Sequence, residues 1–208
     1  MTQKTLSIRL KAALVTFALT FLVTVTRAVA QEEKVLYDFT LAGHGGASPL
    51  YGDLITDGSG NLYGTTSGGG AEEVGAVFEL SPPVPPSKHW KETPLYNFSV
   101  HDGGIGGTNP VAALLFDPSY TNLYGTTLAG GAYGYGTVFE LTPPIPPKTF
   151  WEEYVLHSFN RNGTDGYSPY AGLIMDSAGN LYGTTYSGGV DGLGTVFELK
   201  PPAEGKKK

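Results

Sequence analysis

The chain has 208 residues, no cysteine, 30 glycines and a formal net charge of −6. The lack of cysteine excludes disulfides, and the acidic balance argues against nucleic acids and anionic membranes as partners, because phosphate-binding surfaces are basic. Abundant glycine with only 15% charged residues is typical of many short strands joined by tight turns. After residue 30, no stretch has the 3.6-residue apolar period of an amphipathic helix.

The first thirty residues have the three parts of a secretory signal peptide. Lys4, Arg9 and Lys11 precede the uncharged run Ala12–Val25, and Ala28-Val29-Ala30 follows as a small-x-small cleavage site. The run is shorter than the roughly 20 residues of a membrane span, although an uncleaved anchor is the alternative. Cleavage predicts a secreted, periplasmic or cell-surface protein with no remaining membrane span. The rest of the chain has nine Lys or Arg and nineteen Asp or Glu, a net charge of −10.

Beyond the signal peptide, three sequence blocks recur in the same order at a period of about 60 residues. The blocks are Asn61–Thr66, Asn122–Thr127 and Asn180–Thr185; Val77–Leu80, Val138–Leu141 and Val196–Leu199; and Tyr37–Phe39, Tyr96–Phe98 and His157–Phe159. Ordered blocks at one period predict one repeat domain over residues 31–202, with repeats at about 34–89, 90–150 and 151–202. Residues 203–208 are expected to form a disordered tail.

Each repeat is predicted to form four antiparallel strands. In the first repeat these are, from the innermost outward, Leu50–Asp57, Asn61–Thr66, Gly75–Leu80 and Thr93–Ser99. Asp-x-x-x-Asn turns join the inner two strands, and Phe78 is expected to cover Gly64 on the neighbouring strand. The fold class is therefore all-β, a β-propeller-like array of three four-stranded blades, with a β-solenoid as the alternative.

The segment Val35–Thr40 is a surplus outer strand at the start of this array, and the last repeat lacks one. It could complete the last blade within its own chain. Alternatively, two chains could pair head to tail and form six blades, within the roughly four to eight that known propellers use.

The motifs resemble a known family. Asp-x-x-Gly-Asn-Leu-Tyr-Gly-Thr-Thr, Ser-Gly-Gly and Gly-Thr-Val-Phe-Glu-Leu, best seen in 176–199, are similar to the Gloeo-Verruco (GloVer) tandem repeat family. The resemblance covers nearly all of residues 34–202 and departs from the pattern at Ala76, where the other copies have Thr137 and Thr195. It implies an exported or surface repeat protein, of the kind described as choice-of-anchor proteins. It supplies no catalytic residues.

The glycine-rich loops that differ between repeats are the expected functional face, since loops on a rigid scaffold commonly carry function. The candidate binding residues there are His44, Glu72, Glu73, His101, Asp102, Tyr133, Tyr135, Arg161, Asp165 and Asp191. Tyr133 and Tyr135 could stack on sugar rings, or simply cover the end of the sheet. Glu72 and Glu73 with Asp191 could bind Ca²⁺. The pair His101-Asp102 could act as acid and base, although solvated loop residues are the simpler interpretation.

No nucleophile elbow, phosphate loop, zinc spacing or dinucleotide fingerprint occurs, so neither catalytic residues nor a cofactor other than Ca²⁺ is predicted. The sequence predicts a non-catalytic exported repeat module that binds carbohydrate or protein through its loop face. The alternatives are an extracellular polysaccharide hydrolase or lyase of the propeller type, and a structural surface or assembly protein.

Overall fold

The computed structural model describes residues 32–40, 45–101 and 105–201. The predicted signal peptide, His44, Asp102 and the predicted tail at 203–208 lie outside these ranges. The chain divides into Met1–Val35, whose described residues 32–35 form no regular secondary structure, and the compact unit Leu36–Lys208. In the described ranges, no helix is long and apolar enough to cross a membrane.

Every regular element in these ranges is a β-strand, which confirms the all-β prediction. The strands are β1 (Gly46–Ala47), β2 (Ile55–Thr56), β3 (Leu62–Thr66), β4 (Gly68–Gly69), β5 (Ala76–Ser81), β6 (Lys91–Asn97), β7 (Gly107–Pro110), β8 (Leu115–Phe116), β9 (Leu123–Gly130), β10 (Thr137–Thr142), β11 (Glu152–Ser158), β12 (Gly166–Tyr167), β13 (Ile174–Met175), β14 (Leu181–Thr185), β15 (Ser187–Gly188) and β16 (Thr195–Leu199).

The strands form three main antiparallel sheets that follow the repeats. Sheet 1 has the order β2-β3-β5-β6. Sheet 2 has the order β11-β10-β9-β7, with β8 also paired to β9, and sheet 3 has the order β13-β14-β16. Two short ribbons, β1 with β4 and β12 with β15, accompany sheets 1 and 3. Sheet 1 has the four strands predicted for each repeat, whereas sheet 2 has five and sheet 3 has three.

A glycine opposite a phenylalanine occupies the middle of each sheet. Gly64 pairs with Phe78 in sheet 1, and Gly125 pairs with Phe139 in sheet 2. A Cβ at Gly64 would lie 2.7 Å from Phe78 Cζ, so the ring lies directly over the glycine. The predicted cover of Gly64 by Phe78 is confirmed, and both phenylalanines are fully buried. The ring thus fills the space that a side chain at the glycine would occupy.

The innermost strands are much shorter than predicted. Of Leu50–Asp57, only Ile55 and Thr56 pair with β3. The residues before them instead turn towards the neighbouring sheet, and a Cβ at Gly52 would lie 3.0 Å from the Ala112 carbonyl oxygen. That oxygen accepts a hydrogen bond from the Thr65 hydroxyl at 3.0 Å. Contacts between sheets therefore replace part of the strand ladder that the apolar pattern predicted.

The segment Val35–Thr40 was predicted to be a strand, but it pairs with no strand in the structure. Its aromatic residues pack on sheet 1 instead: the Phe39 and Phe78 rings are 5.1 Å apart, and the Tyr37 hydroxyl donates to Glu92 Oε2 at 2.7 Å. Among the described strands, β16 pairs only with β14. The predicted completion of the last sheet within one chain is therefore not present.

Candidate functional site

The loop face is held together by close backbone contacts between glycines. Gly46 pairs with Gly69, Gly107 with Gly130, and Gly166 with Gly188. A Cβ at Gly107 would lie 2.4 Å from Thr127 Cγ2, so only glycine fits at this crossing. These pairings give the variable loops fixed positions.

The three loop tips present different side chains from equivalent positions. Glu72, Tyr133 and Asp191 each lie three residues before a positive-φ glycine that follows the loop. Glu72 and Asp191 consequently belong to different sheets and do not converge. Among the described residues, no group of three His, Asp or Glu is arranged to hold a metal ion, so the suggested Ca²⁺ site at Glu72, Glu73 and Asp191 gains no support.

In sheet 1, Glu72 closes the space between its loop and the segment that follows β6. Its carboxylate accepts hydrogen bonds from the Val100 backbone N–H at 2.7 Å and the Ser99 hydroxyl at 2.8 Å, and it contacts His101 Nδ1 at 3.0 Å. The Val100 N–H, followed by His101 and Ser99, holds the pKa of Glu72 below its ordinary value. Glu72 thus links its own loop to the segment that follows β6.

In sheet 2, the equivalent space is open. It forms a shallow cavity of about 540 Å³, here called the tyrosine cleft, which is lined by Tyr133, Tyr135, Asn160, Arg161 and Asn162. The Tyr133 side chain, at the position of Glu72, is 60% exposed. The structure therefore brings together three of the predicted candidates, Tyr133, Tyr135 and Arg161.

Arg161 also borders a second cavity of about 390 Å³, together with Asp165, Tyr167 and Asp191. The Arg161 guanidinium carbon lies 5.7 Å from the centre of the Tyr167 ring, and the Tyr167 and Tyr135 rings are 5.6 Å apart. Arg161 therefore lines both cavities, and the Tyr135 and Tyr167 rings, one in each cavity, lie beside it.

Sequence analysis missed Tyr167 and Asn160 as cavity residues. A signal for Tyr167 was available, because the equivalent positions in the other repeats carry the smaller residues Ala47 and Thr108. An aromatic residue that departs from a small residue at a repeated position marks a place where the repeats differ in function or packing.

Asp165 lines the second cavity, but its carboxylate already supports the backbone. It contacts His157 Nε2 at 3.1 Å and accepts hydrogen bonds from the Asn160 and Gly166 N–H groups at 3.0 and 2.9 Å. The Glu92 carboxylate likewise accepts hydrogen bonds from the Tyr37 hydroxyl and the Gly46 N–H. Its hydrogen bond raises the pKa of Tyr37 to about 12. We therefore assign Asp165 a scaffolding role.

A family model matches the part of the chain that contains the three repeats. The family model of the Gloeobacter/Verrucomicrobia repeat matches residues 20–207. The chain belongs to this repeat family. No curated protein and no solved structure gives a significant match to this chain. The match confirms the resemblance to the GloVer family, and it identifies neither a ligand nor a reaction.

The protein has a third cavity, on the face of the aspartate turns. It measures about 350 Å³ and is lined by residues of β2, β8 and β13 together with Asp117, Pro118, Tyr120 and Asp176. The strands β2, β8 and β13, one from each main sheet, therefore line one cavity. The sequence analysis had placed function only on the opposite face.

Acid is expected to destabilise the protein in part through its aspartate turns. Hydrogen bonds from the Asn180 side chain and backbone hold the pKa of Asp176 below its ordinary value of 3.8. A carboxyl with a lowered pKa stabilises the fold above its unfolded-state pKa, and this stabilisation is lost as the pH falls through the folded-state pKa. Asp176→Asn should therefore flatten the fall in the free energy of unfolding below about pH 4, measured by urea denaturation from about pH 2 to 7.

Asn180→Ala is the matching variant, because it removes the side-chain amide that donates to Asp176 Oδ2 at 2.8 Å. This variant should lower the free energy of unfolding at neutral pH, and that free energy should then fall less steeply below about pH 4. If the free energy of unfolding falls with acid as steeply in both variants as in the wild type, this role of the turn is contradicted.

Proposed function

We propose that the protein is a non-catalytic exported module that binds carbohydrate through the tyrosine cleft. The observation that carries this proposal is the open space beside Tyr133 and Tyr135, in a position that Glu72 closes in sheet 1. Exposed tyrosine rings provide flat apolar surfaces for sugar faces. The neighbouring Asn160, Arg161 and Asn162 provide hydrogen-bonding groups for hydroxyls.

The loop that carries these groups is held in place before a ligand arrives. Asn162 Oδ1 accepts hydrogen bonds from the Thr164 and Asp165 N–H groups at 3.0 and 2.8 Å. Arg161 lies against the Tyr167 ring. A preorganised site loses less conformational entropy on binding, which favours recognition of weakly bound ligands such as sugars.

We further propose that the three sheets are propeller-like blades and that the protein acts outside the cytoplasm. The convergence of the innermost strands around one cavity supports the first part. The signal-peptide pattern of the first thirty residues supports the second. The location would be the periplasm, the cell surface or the medium.

Tyr133→Ala is expected to weaken carbohydrate binding by about tenfold, equivalent to about 1.4 kcal/mol. The reason is the loss of the exposed ring on which the sugar stacks. A glycan array would identify the ligand, and titration calorimetry with that glycan would compare the variants. Glu72→Ala, the equivalent position in sheet 1, is the control and should bind like the wild type.

A protein ligand is the other outcome of this test, detected by pull-down from an envelope extract with the same two variants. If neither the glycan array nor the pull-down detects a ligand at high protein concentration, the proposal is contradicted and a purely structural role is favoured. A polysaccharide hydrolase or lyase is the remaining alternative. It would need free carboxylates beside a cavity. Asp165, which borders one together with Asp191, already holds the backbone. Asp117 and Asp176, beside the cavity on the aspartate-turn face, accept backbone hydrogen bonds within their own turns.

We also propose that two copies pair head to tail, so that six sheets complete a propeller of ordinary size. Cyclic dimers are the commonest soluble oligomers, which supports this arrangement.

A further inference from the structure

We infer that the outer edge of sheet 3 is a docking surface for a second copy of this chain, whose residues 32–38 add to β16 as the missing outer strand. This inference rests on the proposed head-to-tail pairing and specifies how it is made. Two observations support it. The same contacts join sheet 1 to sheet 2 and sheet 2 to sheet 3. One half of these contacts recurs on sheet 3, and the other half recurs at the start of sheet 1.

The junctions between adjacent sheets repeat the same hydrogen bonds. Between sheets 1 and 2, the Thr65 hydroxyl donates to the Ala112 oxygen at 3.0 Å, and the Asn109 N–H donates to the Val74 oxygen at 2.8 Å. The matching bonds between sheets 2 and 3 are Thr126 hydroxyl to Ala171 oxygen at 3.2 Å and Ser168 N–H to Tyr135 oxygen at 3.1 Å. One sheet therefore presents a threonine and a loop carbonyl to the next.

Sheet 3 exposes the first half of this junction. Thr184, at the position of Thr65 and Thr126, is exposed, whereas those two are buried. Val196 is 81% exposed, whereas the equivalent Val77 and Val138 are fully buried. The exposed apolar residues on this part of sheet 3 and its loops are Ile174, Tyr186, Val190, Leu193 and Val196. A group of exposed apolar side chains of this kind indicates an interaction surface.

The start of sheet 1 provides the second half. Ser48 has a φ of 58°, close to the 57° of Asn109 and 56° of Ser168, and each of the three precedes a proline. Tyr51 follows Pro49 by two residues, as Ala112 follows Pro110. It is 79% exposed, although its ring lies 6.5 Å from the Tyr170 ring of the same chain. The two ends of the described chain are thus complementary in backbone shape and in exposed apolar surface.

The segment at residues 32–38 has the sequence of an outer strand. In sheets 1 and 2, a glutamate stands four residues before the Tyr or His that faces the buried valine: Glu92 precedes Tyr96, and Glu153 precedes His157. Glu33 stands in the same relation to Tyr37. Tyr37 and Phe39 already pack on sheet 1, as Tyr96 and Phe98 approach sheet 2, where the Phe98 and Phe139 rings are 5.3 Å apart.

The register also matches opposite charges. In sheets 1 and 2, the residues opposite Glu79 and Glu140 are Thr93 and Tyr154. The same register, applied to β16, places Lys34 of the second copy opposite Glu198, and Glu32 opposite Lys200. Opposite charges facing each other across an antiparallel pair are stabilising. Both pairs are specific to this docked arrangement.

A second copy fits better than the segment of the same chain. Within one chain, Tyr37 and Phe39 pack on sheet 1, and the described residues 36–40 pair with no strand of sheet 3. Two copies satisfy both ends with one type of junction used twice, which is the requirement for a closed two-fold pair.

Cysteine cross-linking tests this arrangement directly, because the chain has no cysteine of its own. One preparation carries Lys34→Cys and another Glu198→Cys, each purified as the expressing cell processes it. After mixing and mild oxidation, the disulfide-linked pair is measured on non-reducing gels. The control mixture replaces Lys34→Cys with Val35→Cys, whose side chain points to the other face of the strand. We expect at least about fivefold more cross-linked pair than in the control, since a one-residue shift reverses every side chain.

The remaining outcomes are decided by light scattering of the unmodified protein and by a variant with both cysteines in one chain. If the protein has the mass of a dimer but both mixtures cross-link equally, residues 32–38 do not add to β16 in the proposed register. Head-to-tail pairing would then remain, without this strand addition. Monomer mass at micromolar concentration without cross-links would overturn both. A disulfide formed within one chain would assign the segment to its own β16 and would also overturn the inference. None of these results affects the glycan-binding assay of the tyrosine cleft.

Discussion

Phe139→Ala is expected to lower the free energy of unfolding by about 3–5 kcal/mol, the usual cost of removing a fully buried phenylalanine. The ring is completely buried and lies over Gly125, where a Cβ would be only 2.5 Å from Phe139 Cζ. It also contacts the Phe98 ring edge to face at 5.3 Å. Its loss would leave a cavity lined by two strands of sheet 2 and by the segment that follows β6.

Urea denaturation followed by tryptophan fluorescence would measure this loss. Phe150→Ala is the control, because that ring is 61% exposed, and its stability should stay within about 0.5 kcal/mol of the wild type. Similar losses for the two variants would show that the glycine–phenylalanine pair is not the centre of the sheet.

Gly136→Ala should have an effect at least as large, because it combines backbone strain with a collision. Gly136 has a φ of 99°, and a Cβ there would lie 2.4 Å from the Thr127 carbonyl oxygen and 2.9 Å from Pro169 Cδ. Both neighbours are covalently constrained and cannot rotate away. We expect a loss of about 4 kcal/mol or more, which is a large part of the roughly 5–15 kcal/mol that stabilises an ordinary protein.

Gly134→Ala is the matched control two residues earlier. Gly134 also has a positive φ, of 80°, but no atom lies within 4 Å of its hypothetical Cβ. Only the cost of the left-handed backbone remains, about 1–2 kcal/mol. Thermal unfolding by circular dichroism would compare the two variants. Equal losses would mean that the backbone at the junction of sheets 2 and 3 relaxes around an added methyl group.

The local pairings were predictable because the chain repeats them. Side chains alternate between the two faces of a strand, and a glycine that lies opposite a phenylalanine fixes how two neighbouring strands pair. Gly64, Gly125 and Gly183 all pair with a phenylalanine in this register. The aspartate turns were equally predictable, since Asp57 accepts backbone hydrogen bonds from Ser59 and Asn61 within five residues of chain. Interactions within such short distances depend little on the rest of the fold.

The candidate site was only partly predictable. Tyr133, Tyr135 and Arg161 were identified by residue type and do line one cleft, whereas Glu72 and Asp191 proved to occupy equivalent positions in separate sheets. The openness of the cleft depends on one difference between repeats: Glu72 hydrogen-bonds the segment after β6, and Tyr133 at the same position has no carboxylate to do so.

The sequence by itself determined the all-β class, the three repeats, the family and the contacts within each sheet, because these depend on spacing and alternation along a short stretch of chain. Within the described ranges, only the tertiary structure decided that Val35–Thr40 pairs with no strand, that β2, β8 and β13 have two residues each, and that β16 pairs with β14 alone. These features depend on which distant segments reach one another in space. The apolar pattern of a strand is the same whether a neighbouring sheet, a loop or a second molecule covers it.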